Sequence, residues 1–275
     1  MTAYIISRGR PENLRKTIPR WAVHGVFSVV VIEASERQAY LNVIKQAKLI
    51  NCMDFVCYRG YQGLGHIRQF ALKDAATSGL KSIVMSDDDL RPAENILGVP
   101  GMRELLVKAG KPDVLGIGAT HRYHDFLTGG VTRDRDDVIL CPSGWGLQFY
   151  ALNVETAMNI GGYDKRLDVA GEDAELVRQG IAAGIPWLVH CGARCEPIGK
   201  RHSPGGLESY PDLESRVLRC QQIIHDMWPD YTTAPPLKMR TRWVRMLDDF
   251  IPGWQARSAM HGGNLETSDP GSRLV

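Results

Sequence analysis

The sequence predicts an α/β protein built on a mostly parallel central sheet with helices on its faces. Two observations carry this. Over roughly the first 90 of its 275 residues, short apolar runs alternate with segments of helical spacing in the rhythm β-α-β-α-β-α-β. The second run, Phe27 to Ile32, is apolar almost throughout, the pattern of a strand buried on both faces.

Taken in order, Tyr4-Ile5-Ile6 reads as a short strand, residues 8–13 as a turn, and Leu14 to Trp21 as a short helix. Phe27 to Ile32 is the second strand. Residues 36–50 have helical spacing, with Tyr40, Val43, Ile44 and Ala47 along one side. Asp54 to Tyr58 is the third strand. The glycine-rich loop Gly60-Tyr61-Gln62-Gly63-Leu64-Gly65 then opens a helix from about His66 to Ser78. Lys81 to Met85 is a strand that delivers the chain into Ser86-Asp87-Asp88-Asp89-Leu90. The second half is less regular. Strands are expected at Val114 to Ala119, Gly146 to Ala151 and Trp187 to His190, and helices at Asn153 to Ile160, Asp173 to Ala183 and Leu213 to Trp228. Beyond Gly253 the chain is rich in Gly, Ser, Asp and Asn and reads as a tail. There are no internal repeats.

A composition of 44% hydrophobic and 23% charged residues is that of an ordinary globular protein, and a net charge of +2 does not by itself single out a polyanionic partner. No apolar run is long enough to span a bilayer. The N-terminus turns charged at Arg8, too early for a signal peptide, so a cytoplasmic location is expected. In that compartment the cysteines stay reduced. Cys191 and Cys195 lie near His190 and His202, but without the paired CxxC spacing of a zinc site.

The acidic triplet is the most informative motif. Three carboxylates at the end of a buried strand are costly unless a cation or hydrogen-bond donors meet them. Oxygen ligands suit Mg²⁺ or Mn²⁺, ions that bridge carboxylates to substrate phosphates. Strand alternation would place Asp87 and Asp89 on one face. The competing reading is a solvated loop that caps the next helix. Ser7-Arg8-Gly9-Arg10 follows the first strand, where it could hold a nucleobase, ribose or phosphate, or simply form a polar turn. Glu33 has the same edge position after the second strand and is either a ribose or base acceptor or a solvated acid. The Gly63–Gly65 loop offers a helix N-terminus to phosphate, with Arg68 one turn in, facing either a diphosphate or solvent. It matches neither GxGxxG nor a P-loop.

A second motif, Gly161-Gly162-Tyr163-Asp164, leads to Gly171-Glu172-Asp173 at the start of a helix. Acids there are favoured by the helix dipole, yet in a cleft they also serve as a general base. His202, in the Gly/Pro loop with Lys200 and Arg201, is either solvated or a further metal ligand. Trp145 and Tyr150 could stack on a base or sugar, or pack in the core. Lys238, Arg240, Arg242, Trp243 and Arg245 form a basic, aromatic-bearing stretch without acids. It suits nucleic acid, an anionic membrane surface or a solvated helix.

Together the early Ser7–Arg10 strand end, the Asp87-Asp88-Asp89 DxD cluster and the Gly161–Asp164 and Gly171–Asp173 motifs resemble the GT-A class of nucleotide-sugar glycosyltransferases, over about residues 3–205. More narrowly, Ser7–Arg10, Ile67-Arg68-Gln69 and Ser86–Leu90 resemble phage TET-associated glycosyltransferases, which modify 5-hydroxymethylcytosine in DNA. Many GT-A enzymes have Arg-Asn where this chain has Arg68-Gln69. The resemblance implies a Rossmann-like GT-A domain over 1–210, with a nucleotide-sugar half (about 1–100) and an acceptor half (about 101–210). A helical basic extension (211–252) and a tail (253–275) follow. It also implies a UDP-sugar donor, Mn²⁺ or Mg²⁺, and DNA as the acceptor. Ser7, Arg8, Arg10, Glu33, Arg68, Asp87, Asp88 and Trp145 would bind the nucleotide-sugar, Asp89 and His202 the metal, and Asp173 or Glu172 would be the base. Lys238, Arg240, Arg242, Trp243 and Arg245 would bind the acceptor. Transfer to a glycan, lipid or protein, and nucleotidyl transfer through the same acids, are the alternatives.

Overall fold

The structure is a computed structural model that describes residues 1–92, 105–107, 109–111, 114–121, 138–140, 149–185, 187–198 and 212–229. The first half alternates strictly: β1 (Thr2–Ile6), α1 (Leu14–Ala22), β2 (Phe27–Glu33), α2 (Arg37–Gln46), β3 (Met53–Tyr58), α3 (Leu64–Thr77) and β4 (Ser82–Asp87). The second half contributes β5 (Leu90–Pro92), β6 (Gly116–His121), β7 (Val138–Leu140), β8 (Phe149–Asn153), α4 (Val154–Asn159), α5 (Glu172–Ala182), β9 (Trp187–Pro197) and α6 (Leu213–Met227).

Among the described residues one sheet runs in the order β3-β2-β1-β4-β8-β6-β9-β5, with β7 also paired to β9. The first four strands are mutually parallel. β1 and β2, apolar along their length, supply Ala3, Tyr4, Ile5, Val30, Val31 and Ile32 to the core. Each fully buried aliphatic side chain there contributes about 1.5–3 kcal/mol. Helices cover these strands. Trp21 of α1 stacks on Phe149 of β8 at 5.3 Å between ring centroids, which ties the two halves of the sheet together. A separate small cluster joins Leu167 and Val169 to Cys220 of α6.

The parallel expectation holds for β1 to β4 and again for β6 with β9, but the other second-half pairs depart from it. β8 runs antiparallel to both β4 and β6, and β5 and β7 run antiparallel to β9. The strands β5 and β7, three residues each, are too short to leave a periodic signal. β9 extends to Pro197, well past the apolar Trp187–His190 run, because β6 and β5 give it partners along its length. Trp145, His202, the 237–247 stretch and the tail lie outside the described residues.

Candidate active site

The strand order fixes where ligands can gather. From β1 the chain steps outward to β2 and β3, then returns to the other side of β1 as β4. Neighbouring crossovers therefore diverge between β1 and β4, and a crevice opens at the carboxyl ends of those strands. Ile6 pairs with Asp87 at this edge, so Ser7–Arg10 and the aspartate triplet leave the sheet side by side. Glu33 lies farther along the same edge, opposite Tyr58 at the end of β3.

The triplet does not behave as a strand. β4 ends at Asp87, and the chain turns through Asp88 and Asp89. Strand alternation stops with the strand, which corrects the expectation that Asp87 and Asp89 share a face. Asp88 is fully buried. Its backbone N–H donates to the Ile6 carbonyl at 3.1 Å, and its own carbonyl accepts from Thr17 Oγ1 at 2.9 Å. Its carboxylate accepts from Ser7 Oγ at 2.5 Å and pairs with Arg10 Nη2 at 2.5 Å. Ser7 Oγ lies 2.6 Å from the Tyr40 hydroxyl, which also accepts the Arg10 N–H at 3.2 Å. Arg10 Nη1 reaches Asp89 Oδ2 at 3.1 Å, and the Asp89 side chain remains 38% exposed. Arg10 thus holds the second and third acids together. Arg8 lies over the Tyr61 ring, 3.9 Å from its centroid.

Asp87 turns the other way, to Arg68 of α3. The guanidinium is buried. Its Nη2 donates to Asp87 Oδ1 at 3.0 Å, its Nε to Glu172 Oε1 at 2.9 Å, and its Nη1 to the Tyr150 hydroxyl at 3.2 Å. Tyr150 is in turn hydrogen-bonded to the Tyr163 hydroxyl. Arg68 therefore lies beneath the crevice and does not face solvent. Asp173, next to Glu172 in the first turn of α5, is half-buried, and its Oδ1 accepts the Ala174 N–H at 2.7 Å.

Two glycine segments make this convergence possible. The first amides of α3 are donated to protein carbonyls: Leu64 N–H to Asp168 at 2.8 Å and Gly65 N–H to Leu167 at 2.9 Å. The expectation that this helix N-terminus faces phosphate is thereby replaced by a docking role. A Cβ at Gly65 would lie 2.1 Å from the Asp164 carbonyl oxygen, so only glycine allows the approach. On the opposing segment Gly162 has φ +72°, and a Cβ there would lie 2.2 Å from Gln69 Oε1, which accepts the Tyr163 N–H at 2.7 Å. Gln69 thus reaches across to the Gly-Gly-Tyr loop.

Burial sets the electrostatics. It pushes the Asp88 carboxyl up to about 7, against the pull of Arg10 and Ser7. Asp87 and Glu172 are also pushed up by burial; Asp89 and Asp173 add repulsion, while Arg68 pulls both back. Burial works against the charged form of Arg10, but Asp88, Asp89 and Asp87 outweigh it and raise its affinity for its proton.

The structure thus brings Ser7, Arg10, Asp87, Asp88, Asp89, Arg68 and Glu172 into one connected set at the carboxyl edge, with Arg8 and Glu33 farther along it. Trp145, His202, Lys238, Arg240, Arg242, Trp243 and Arg245 fall outside the described residues. Sequence reasoning missed Tyr40, Gln69 and Tyr163 as site supports. Tyr40 carried only a core signal, and the partners of Gln69 and Tyr163 are remote in sequence.

No family model matches the chain, and none of the curated proteins matches it. Among solved structures it is similar to the crystal structure of GalNAc-T7 with UDP, GalNAc and Mn²⁺, at 14% identity and a TM-score of 0.49. The match covers 78% of this chain and 47% of that one, so the chain spans about half the length of that protein. No helix among the described residues is long and apolar enough to cross a membrane.

Proposed function

We propose that the chain is a metal-dependent glycosyltransferase that moves a sugar from a UDP-sugar to the hydroxyl of 5-hydroxymethylcytosine in DNA, with inversion at the anomeric carbon. One observation carries the reading. The acids that end β4 and the acids that begin α5, far apart in sequence, meet through Arg68 at the crevice where the sheet topology gathers ligands. A transferase needs such a division: one group of carboxylates for the donor, another for the acceptor.

The donor set suits Mg²⁺ or Mn²⁺. Among the described residues no three His, Cys, Asp or Glu side chains form a metal cage of their own. These ions are commonly held by one or two carboxylates together with substrate phosphates. Asp89, partly exposed beside Arg10, is the carboxylate we assign as metal ligand, and Asp87 is the one we assign to the nucleotide, with the buried Asp88 holding Arg10 behind them. When bound, the ion supplies charge neutralisation for the leaving diphosphate. We assign Glu33, at the end of β2, to the ribose or base, and Arg8, after β1, to a phosphate. Asp173 takes the proton of the acceptor hydroxyl, whose oxygen bonds to the anomeric carbon as the bond to UDP breaks. Glu172, held by Arg68, anchors the start of that helix.

The DNA acceptor rests on sequence: the acid-free basic run with Lys238, Arg240, Arg242, Trp243 and Arg245, and the motif likeness to phage enzymes. The test is to incubate the protein with Mn²⁺, a panel of UDP-sugars, and DNA containing cytosine or 5-hydroxymethylcytosine. The digested nucleosides are then weighed. A hexose-type gain confined to hydroxymethylcytosine is expected. Metal-dependent UDP release without gain on DNA would move the acceptor to glycans, lipids or proteins.

A further inference from the structure

We propose that Arg68 is a positioning residue that ties the donor-side carboxylate Asp87 to the acceptor-side carboxylate Glu172 and so sets both halves of the site at once. The inference rests on the donor and acceptor assignments just made. Its geometry does not: one planar guanidinium, 3% exposed, spans two carboxylates at 3.0 and 2.9 Å and a tyrosine hydroxyl at 3.2 Å. Arginine suits this place because its donors form a rigid fork, whereas a lysine ammonium is a single point charge that satisfies one carboxylate at a time.

The surroundings fix the fork from every side. Arg68 is carried by α3, whose first amides are docked on the 167–168 carbonyls that precede α5. The next residue, Gln69, fastens the Tyr163 backbone, and the Tyr163 hydroxyl meets Tyr150, which accepts from Arg68. A single turn of α3 thereby holds β4, β8 and the start of α5 in register. Glu172 is itself buried, and its Oε2 has no hydrogen-bond partner among the described residues. Arg68, at Oε1, is the cation that orients it.

The charge count gives the tie a signature. One buried cation faces two carboxylates, so neutralising either acid leaves a matched pair. Neutralising both leaves a buried guanidinium with no counter-charge, which is far more costly. In urea unfolding of the full chain, Asp87→Asn and Glu172→Gln should each move the midpoint slightly, and the double variant should lose more than the sum of the two shifts. Adding Arg68→Met to the double variant should recover part of the loss. Additive shifts would overturn the tie.

Function gives a second readout that a purely structural role would not move. Arg68→Lys should weaken the binding of UDP with Mn²⁺ about 10-fold, measured by calorimetry, and lower turnover by a further factor of about 10, although Arg68 lies beneath the crevice. A folded Arg68→Lys protein that binds and turns over like the wild type would sink the proposal. Should the wild type bind no UDP while the urea shifts remain non-additive, the glycosyltransferase reading falls and the Arg68 tie stands.

Discussion

Two arginines divide one aspartate triplet, and they do so under different conditions. Arg10 reaches Asp88 and Asp89 with its side chain 15% exposed, at the mouth of the crevice. Arg68 reaches Asp87 from below at 3% exposure and shares itself with Glu172. The outer arginine leaves one of its acids, Asp89, partly exposed; the inner one holds both of its acids in the interior. The difference separates a carboxylate left partly open at the edge from carboxylates held within the protein.

If that division is right, Asp89→Ala should have the largest functional effect and the smallest structural one. Turnover should fall about 10³-fold, as expected for loss of a group that stabilises developing charge, while the urea midpoint stays near that of the wild type. A variant that keeps full activity would remove the metal assignment. Asp173→Asn should come next, with turnover down about 10²-fold and the affinity for UDP with Mn²⁺ unchanged, measured in parallel by kinetics and calorimetry. Weakened nucleotide binding in that variant would place Asp173 on the donor side.

Much of this arrangement was legible beforehand. Every strand and helix of the first half was anticipated to within a few residues, because apolar runs and helical spacing are local signals. The acids at the ends of β4 and at the start of α5 were singled out for the same reason. What sequence could not give was partnership across distance. Asp87 and Asp89 were expected on one face, since nothing local announces that β4 stops at Asp87. Gly63 to Gly65 resembled a phosphate loop, since a helix N-terminus docked on protein carbonyls has the same sequence as one left open for an anion. The three carbonyls that crowd or bond it, from Asp164, Leu167 and Asp168, lie about 100 residues away along the chain.

That docking can be broken alone. Gly65→Ala would drive a Cβ against the Asp164 carbonyl, a backbone atom with little freedom to yield. A loss of about 2 kcal/mol in urea unfolding is expected, in the range for overpacking a tight contact. Wild-type stability in this variant would show that the glycine serves something other than close approach.

The smallest effect concerns pH and distinguishes the outer cluster most finely. Burial pushes the Asp88 carboxyl up to about 7, whereas in the unfolded chain it titrates near the ordinary value of about 4. Between those values the folded state binds the proton and the unfolded state does not. The stability from this group is therefore fully present below about pH 4 and is lost as pH rises through about 7. Asp88→Asn, which stays neutral throughout, should flatten that part of the stability–pH curve, with Asp89 still pairing Arg10. The opposite slope, stability rising with pH in the wild type and lost in Asp88→Asn, would mean that Arg10 and Ser7 outweigh burial. The outer cluster would then be built to hold an ionised acid in place.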